Sequence, residues 1–425
     1  MMSVLETPSV LSSPQRRCQA LLMLYLPGHS ITPEYIGKVN NVDVSTVRQD
    51  LVDAGLEIER YHRLAIATLA NGCYRIEGTH LDQRLCLLHW LRRALRLCPH
   101  FVAHHFTPAI KTQLKQLKIA RTLYDETNLE ALVNRCARGL QREFESRDGQ
   151  FLRLYLQYCL LQHHQGLSPE FSVLQSAWTQ STMEYQISAD IVRHWQRRVM
   201  QTPNPNEQHF LALLFMLLRI PNPHYDGRDQ DRQLHLAVSR LVDHFGERAG
   251  CRFTDEQSLH NHLYVHLSQA LNRCVFNIGI DNNLPEEIHH LYPRLIRTTR
   301  EALTDFEARF ALRFSDNEVA LIAVIFGAGL MRESELHEKQ VVLLTGDNPA
   351  LEQEIEQQLR ELTLLPLNVK YLAAQTFQTE GAPKDSTLII SPYAIALPLF
   401  SPPLIHAEQP LSEHQQQHIC KILET

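Results

Sequence analysis

Histidines 260, 262 and 266 are the first residues in this sequence whose type and spacing could do chemistry. Their separation would allow zinc ligation, but no nearby cysteine or inward carboxylate completes a set of four ligands, so no metal centre is expected. His266 has a more specific setting. It borders a helical stripe made by Leu259, Leu263, Leu267, Ala270, Leu271 and Cys274, where the core can hold a side chain that stays reachable from outside. A neutral imidazole in such a place can take up a phosphoryl group directly, adding negative charge at the edge of a helical core. His266 is therefore the candidate phospho-acceptor. Of the 23 histidines, the pairs His104-His105, His163-His164 and His289-His290 read as surface residues.

A second candidate site lies near the N-terminus. Thr32 caps a helix with Pro33 at its first position, apolar Ile36 and Val39 follow, and Asn40-Asn41 makes a turn. Ser45 then caps a second helix that ends at Gly55. Val47 and Leu51 face its core side, which leaves Thr46, Arg48 and Gln49 to reach base edges or phosphates. Two short helices joined by a tight turn have helix-turn-helix spacing. Leu56 to Arg60 and Cys73 to Glu77, the latter led by Asn71-Gly72, read as two strands that would supply the wing of a winged helix.

The elements around His266 are clearly signalled. The turn cluster Asp281-Asn282-Asn283 follows its helix, and Ile288 to Phe310 marks a second amphipathic helix with Pro293 near its start. Ser315 to Glu318 fits a capping box for a third helix, Val319 to Met331, which is apolar nearly all round and must be buried. The same order recurs upstream. Phe151 to Gln162 and His209 to Ile220 are strongly apolar helices, with Phe171 to Gln186 between them. Pro203 to Glu207 leads into HFLALLFMLLR as Ser315 to Glu318 leads into VALIAVIFGAG, which signals an internal repeat of about one hundred residues. Pro221 to Asp231 would link the copies. Beyond it, VVLLTG, NVKYLAA and STLIIS are strand runs that enclose a helix over Asn348 to Leu362, a small α/β unit.

With 425 residues, 44% hydrophobic and 21% charged, the chain has the composition of a multidomain globular protein. Its net charge of −6 restricts any nucleic-acid surface to a local patch. Residues 1–80 carry seven basic residues against eight acids, a poor balance for phosphate binding. Residues 81–121 are basic, with Lys111, Lys115, Lys118 and Arg121 on one helical face. Residues 340–425 are acidic and bind no nucleic acid. Nine cysteines without a CxxC pair, no leader segment and no apolar run long enough for a membrane span indicate a cytoplasmic protein with reduced thiols. No HExxH, P-loop or dinucleotide glycine motif is present, so neither an enzyme nor a cofactor is expected. Gly327-Ala328-Gly329 lies in an apolar helix, where close packing accounts for it.

HLSQALNRCVFNIGIDNNLPEEI followed by NEVALIAVIF resembles the PTS regulation domain (PRD) of bacterial activators and antiterminators of the BglG and MtlR type. The resemblance implies a mainly α fold with an N-terminal winged helix-turn-helix over 1–80, a basic helical connector over 81–121, PRDs over 122–225 and 226–335, and an enzyme IIB-like α/β unit over 340–425. It implies a DNA-binding regulator, an activator, that forms homodimers and receives phosphoryl groups from the histidine phosphocarrier protein of the sugar phosphotransferase system. Of the family's acceptors, only His266 is matched. The second acceptor of that domain falls on Ile325, those of the first domain on Tyr155 and Leu214, and the enzyme IIB cysteine on Thr345. A protein-interaction regulator without phosphorelay and an RNA-binding antiterminator are the alternatives.

Overall fold

The computed structural model describes residues 10–27, 31–196, 204–224, 229–280, 288–333, 339–364, 367–395, 401–407 and 410–424. Pro203, the middle of the linker at 225–228 and the turn at Asp281-Asn282-Asn283 lie outside them. The chain divides into two compact units, Met1–Arg219 with Val275–Asp281, and Ile220–Cys274 with Asn282–Thr425. The molecule is mainly helical, with a small α/β region at its C-terminal end.

In the first unit, α1 (Ser13–Leu24) starts at a capping box of Ser12 and Gln15 and buries Cys18 to Met23. Thr32 caps α2 (Pro33–Asn40), with Pro33 in its first turn as the sequence indicates, and Asn41 ends it in the left-handed region at φ 54°. Helix α3 (Val44–His62) departs from expectation at both ends. Its cap is Asp43, whose carboxylate accepts the Thr46 N–H, so Ser45 lies inside the helix. It also runs through Gly55, which makes Leu56 to Arg60 helical. Ala54, Ile58 and His62 continue the buried stripe of Val47 and Leu51. One interior glycine costs about 1 kcal/mol, less than full burial of an isoleucine yields at ~1.5–3 kcal/mol. The helix ends at Arg63, φ 54°. The hairpin that follows pairs β1 (Ala65–Thr68) with β2 (Tyr74–Glu77) around a turn in which Gly72 has φ +78°.

Helix α4 (His80–Leu97) packs on α1, α3 and α8 (Ser146–His164) and buries Leu85, Trp90, Leu91 and Ala94, so the basic stretch is part of a core. Arg93 pairs with Glu57, Arg92 with Asp148, and Arg84 is buried. After α5 (Pro99–Phe101) and a π turn over Val102–Phe106, α6 (Thr107–Gln116) stops short of Lys118, which has φ 55°. Lys118 and Arg121 therefore do not continue the face of Lys111 and Lys115. Next come α7 (Glu126–Leu140), α8, α9 (Val173–Gln180), α10 (Met183–Gln196) and α11 (Pro205–Leu217). The expected helix over Phe171 to Gln186 is broken where the Thr182 hydroxyl donates to the Thr179 carbonyl. Residues 275–280 complete this unit as a strap, with Phe276 buried and the Gly279 N–H donating to the Tyr61 carbonyl at 3.2 Å.

The second unit contains α12 (Asp229–Ala249), α13 (Glu256–Val275, up to Cys274), α14 (Ile288–Leu291), α15 (Pro293–Ala302), α16 (Thr304–Phe310) and α17 (Asp316–Glu333). The single helix expected over Ile288 to Phe310 is thus three, with breaks at Tyr292 and Leu303. Then follow β3 (Lys339–Thr345), α18 (Pro349–Glu361), β4 (Leu367–Ala373), α19 (Ala374–Glu380), β5 (Leu388–Ser391), β6 (Leu404–His406) and α20 (Glu413–Glu424). The strands form a parallel sheet in the order β4-β3-β5-β6. Val341 and Leu343 face one core and Val342 and Leu344 the other, which explains the unbroken apolar run of β3. Among the described residues no helix is long and apolar enough to cross a membrane.

Candidate functional site

Helices α13 and α17 pass each other in opposite senses. Gly329, near the end of α17, packs on Leu259, and a Cβ there would stand 3.3 Å from that side chain; Gly327 meets Leu295 of α15 in the same way. Close packing is thus what these two glycines supply. At the other end of the contact, Glu318 of α17 meets His266 and Arg273 of α13. The His266 Nε2 lies 3.2 Å from Glu318 Oε2, and Arg273 donates from Nε to Oε1 at 2.6 Å and from Nη2 to Oε2 at 3.1 Å. Glu318 is buried, whereas the His266 and Arg273 side chains keep 18% and 20% exposure. Burial raises the Glu318 pKa, but the hydrogen bonds and charges of His266 and Arg273 outweigh it and hold the carboxyl below its ordinary value.

The expected capping box is therefore only half formed. The Ser315 hydroxyl accepts the Glu318 N–H at 3.3 Å, while the glutamate side chain turns inward to His266 and Arg273 instead of back to the cap. His260 and His262 join no metal site, and among the described residues no group of three or more histidine, cysteine or acidic side chains could hold one. His260 stacks on His235, and His262 shares a surface pocket of about 270 Å³ with Ile325.

A related node occupies the first unit. Glu207, near the start of α11, stands in the NEQ run that corresponds to NEV at Glu318. It receives both guanidinium arms of Arg84, at 2.7 and 2.8 Å, and the Ser168 hydroxyl at 2.7 Å. Arg84 and Glu207 are 1% and 0% exposed. Burial works against the Arg84 cation, yet Glu207 more than compensates and raises its pKa. The Tyr155 hydroxyl donates to the Arg84 carbonyl, and Leu214 is fully buried. His163 is not at the surface. It is buried on Trp195, 3.9 Å from Glu207, and burial lowers its pKa. His104, His105, His289 and His290 are exposed as expected.

Near the N-terminus, Arg48 and Gln49 project from the exposed side of α3. Thr46 is half-buried, and its hydroxyl donates to Asp43 at 3.0 Å; the Gln49 amide donates to Asp53 at 2.8 Å. Three of the four acids of α3 pair with arginines, Asp50 with Arg16, Asp53 with Arg17 and Glu57 with Arg93, while Glu59 is exposed. A bare count of charges hides this neutralisation.

At the C-terminal end of β3, Thr345 leads into a loop closed by an internal carboxylate. Glu352 Oε1 accepts the Gly346 N–H at 2.6 Å and the Tyr393 hydroxyl at 2.8 Å. A Cβ on Gly346 would lie 2.8 Å from the Tyr393 ring. Arg273, Arg84, Glu207, Glu352 and Tyr393 were not legible as site residues. The paired NE runs that announce the repeat are the one signal that marks Glu207 and Glu318.

The PRD domain model matches residues 130–217 and 239–329, and the model of the C-terminal domain of stationary phase-inducible protein CsiE matches residues 339–423. The transcriptional regulator ManR of Bacillus subtilis (strain 168) is 26% identical over 134 residues, 30% of this chain and 21% of that one. Stationary phase-inducible protein CsiE of Escherichia coli (strain K12) is 56% identical over 425 residues, all of both chains. The chain carries PRD domains and belongs to the CsiE family.

Proposed function

We propose that the chain is a cytoplasmic transcriptional regulator, an activator, that binds DNA through an N-terminal winged helix and is modulated by phosphorylation of His266. The contact of His266 with Glu318 carries the reading. A carboxylate only accepts hydrogen bonds, so in the neutral imidazole Nε2 carries the proton toward Glu318 and Nδ1 keeps the lone pair that attacks phosphorus. The histidine phosphocarrier protein of the sugar phosphotransferase system is the donor of matching chemistry. A phosphoryl group on Nδ1 would bring up to about two negative charges to the Glu318–Arg273 pair. Arg273 can then move from carboxylate to phosphoryl, loosening α13 from α17 and biasing homodimer pairing of the regulation domains.

DNA binding is supported by the tight turn between α2 and α3, by the pairing of three of the four α3 acids with arginines, and by the likeness to a protein named as a transcriptional regulator. Thr46, Arg48 and Gln49 are the contact residues, and Thr46 and Gln49 must exchange their bonds to Asp43 and Asp53 for DNA. Arg48→Ala should lower promoter occupancy in cells, and a tagged wild-type protein without chromosomal enrichment would end this reading. For the switch, mass spectrometry under conditions that preserve phosphohistidine should place the label on His266 when the phosphocarrier is supplied. An unlabelled His266, with an unchanged phenotype for His266→Ala, would remove it.

One observation favours a protein-interaction regulator as the second reading. Val52 and Leu56, one turn apart beyond Arg48 on the outer face of α3, are 56% and 62% exposed. Capture of protein without DNA would select it.

A further inference from the structure

We propose that His262 is a second phosphoryl-accepting residue, which uses Nε2 where His266 uses Nδ1. This rests on the reading of the second regulation domain as a phosphoryl receiver. His262 lies one helical turn before His266 on α13, is exposed, and lines the pocket formed with Thr254, Ser258, Ile325 and Ala328. Its Nδ1 is 2.6 Å from the Ser258 carbonyl. A carbonyl oxygen cannot donate, so Nδ1 carries the proton and Nε2 holds the lone pair. Among the described residues no hydrogen bond occupies Nε2, whereas Nε2 of His266 is held by Glu318. The two contacts thus favour opposite tautomers of the neutral rings on one helix.

The pocket supplies what an isolated surface histidine lacks. Its volume of about 270 Å³ leaves room for a phosphoryl group at the ring, and the hydroxyl-bearing Thr254 and Ser258 are in the wall. Asp255, the one carboxylate in the lining, is engaged as acceptor of the Ser258 N–H at 3.1 Å. Ile325, on the opposite wall, offers no nucleophile. In the transfer, the Nε2 lone pair attacks the phosphorus of a protein phosphohistidine. A P–N bond forms to His262 as the donor P–N bond breaks, the donor imidazole leaves with that electron pair and takes a proton from solvent, and the His262 proton stays on Nδ1, still donated to the Ser258 carbonyl.

Full-length wild-type protein and the His262→Gln and His266→Gln variants are incubated with a phosphorylated histidine phosphocarrier, and each site is mapped with assignment of the ring nitrogen. Circular dichroism verifies folding of each variant. The expected result is Nε2-phosphohistidine at His262, retained in His266→Gln and absent from His262→Gln. Label at His266 alone overturns this proposal and leaves the proposed switch intact; label at His262 alone does the reverse. No label at either site overturns both. His104 is an internal control, because its Nδ1 makes the same contact one turn back, to His100, at 3.2 Å and it is exposed. Equal label on His104 and His262 would show that the pocket contributes nothing and would overturn the proposal.

Discussion

Glu207 and Glu318 stand at matching places in the two repeats, yet substitution by glutamine should cost very different amounts. Glu207→Gln leaves the Arg84 guanidinium, 1% exposed, without its counter-charge. Removing one partner of a buried ion pair costs about 3–5 kcal/mol, because the remaining charge cannot recover its hydration. Glu318→Gln leaves Arg273 and His266 with 20% and 18% exposure, so both can turn toward water. Its loss is that of hydrogen bonds to a charged group, about 1.5–3 kcal/mol, reduced toward the lower end by resolvation. A double variant, Arg84→Met with Glu207→Gln, should recover part of the loss at the first node, since no charge is then stranded. Hydrogen exchange on peptides from α11 and α17 reads each domain separately, which suits a chain too large for one unfolding free energy. The distinction bears on function. In the proposed switch the Glu318 node opens on phosphorylation and has to be cheap to break, whereas a node that holds α4 in place does not. A cost for Glu318→Gln equal to or above that for Glu207→Gln would refute the reasoning.

Other outcomes follow from single contacts. Burial, with His89 and Arg63 nearby, pushes the His62 imidazole from 6.5 down to about 3. A lowered histidine pKa means that the unfolded chain binds the proton more readily, so stability is full above about 6.5 and declines as pH falls toward 3. At pH 5 the loss is about 2 kcal/mol, and His62→Gln should flatten this part of the acid unfolding curve; an unaltered curve would reject the assignment. Gly279→Val should detach the strap, because a Cβ would lie 2.3 Å from the Tyr61 carbonyl oxygen and 2.8 Å from its Cα, both backbone atoms. Faster amide exchange over Tyr61 to Leu64 checks this, and normal protection there would count against it.

Much of the fold could be read from local signals. Thr32 with Pro33 started α2 where expected, and the apolar runs of β3 and β5 announced a sheet buried on both faces. Errors arose where tertiary contacts outweighed a local cue. Gly55 reads as a helix stop only if the burial of Ile58 and His62 is unknown, and the capping box at Ser315 is convincing only while Glu318 has no better partner. Of the candidate site, one residue was legible, His266, at the edge of its stripe. Its partners were not, because sequence gives no sign of which arginine will reach a buried acid; Arg84 and Glu207 are separated by 123 positions.

Three places where the family resemblance puts a phosphoryl group each hold a carboxylate of the chain itself. Glu207 is matched by Arg84, Glu318 by His266 and Arg273, and Glu352 by the Gly346 N–H and the Tyr393 hydroxyl. A carboxylate and a phosphoryl group compete for the same donors, so an internal glutamate keeps each site satisfied without modification. In the first and third places the positions that match the family's acceptors hold Tyr155, Leu214 and Thr345, which offer no imidazole or thiol, and His163 and Cys159 beside Glu207 are buried. Of the three, only Glu318 has an imidazole sharing the carboxylate with a partly exposed arginine. Exchange of one anion for another is physically open there, and Glu352→Ala gives the contrast in the third place. With its carboxylate removed, the Gly346 N–H and Tyr393 hydroxyl lose their acceptor, and added acetate should restore part of the lost thermal stability of the C-terminal sheet. Stability unaffected by acetate would mean that these donors are met by water, and that the loop after β3 is not closed by its anion.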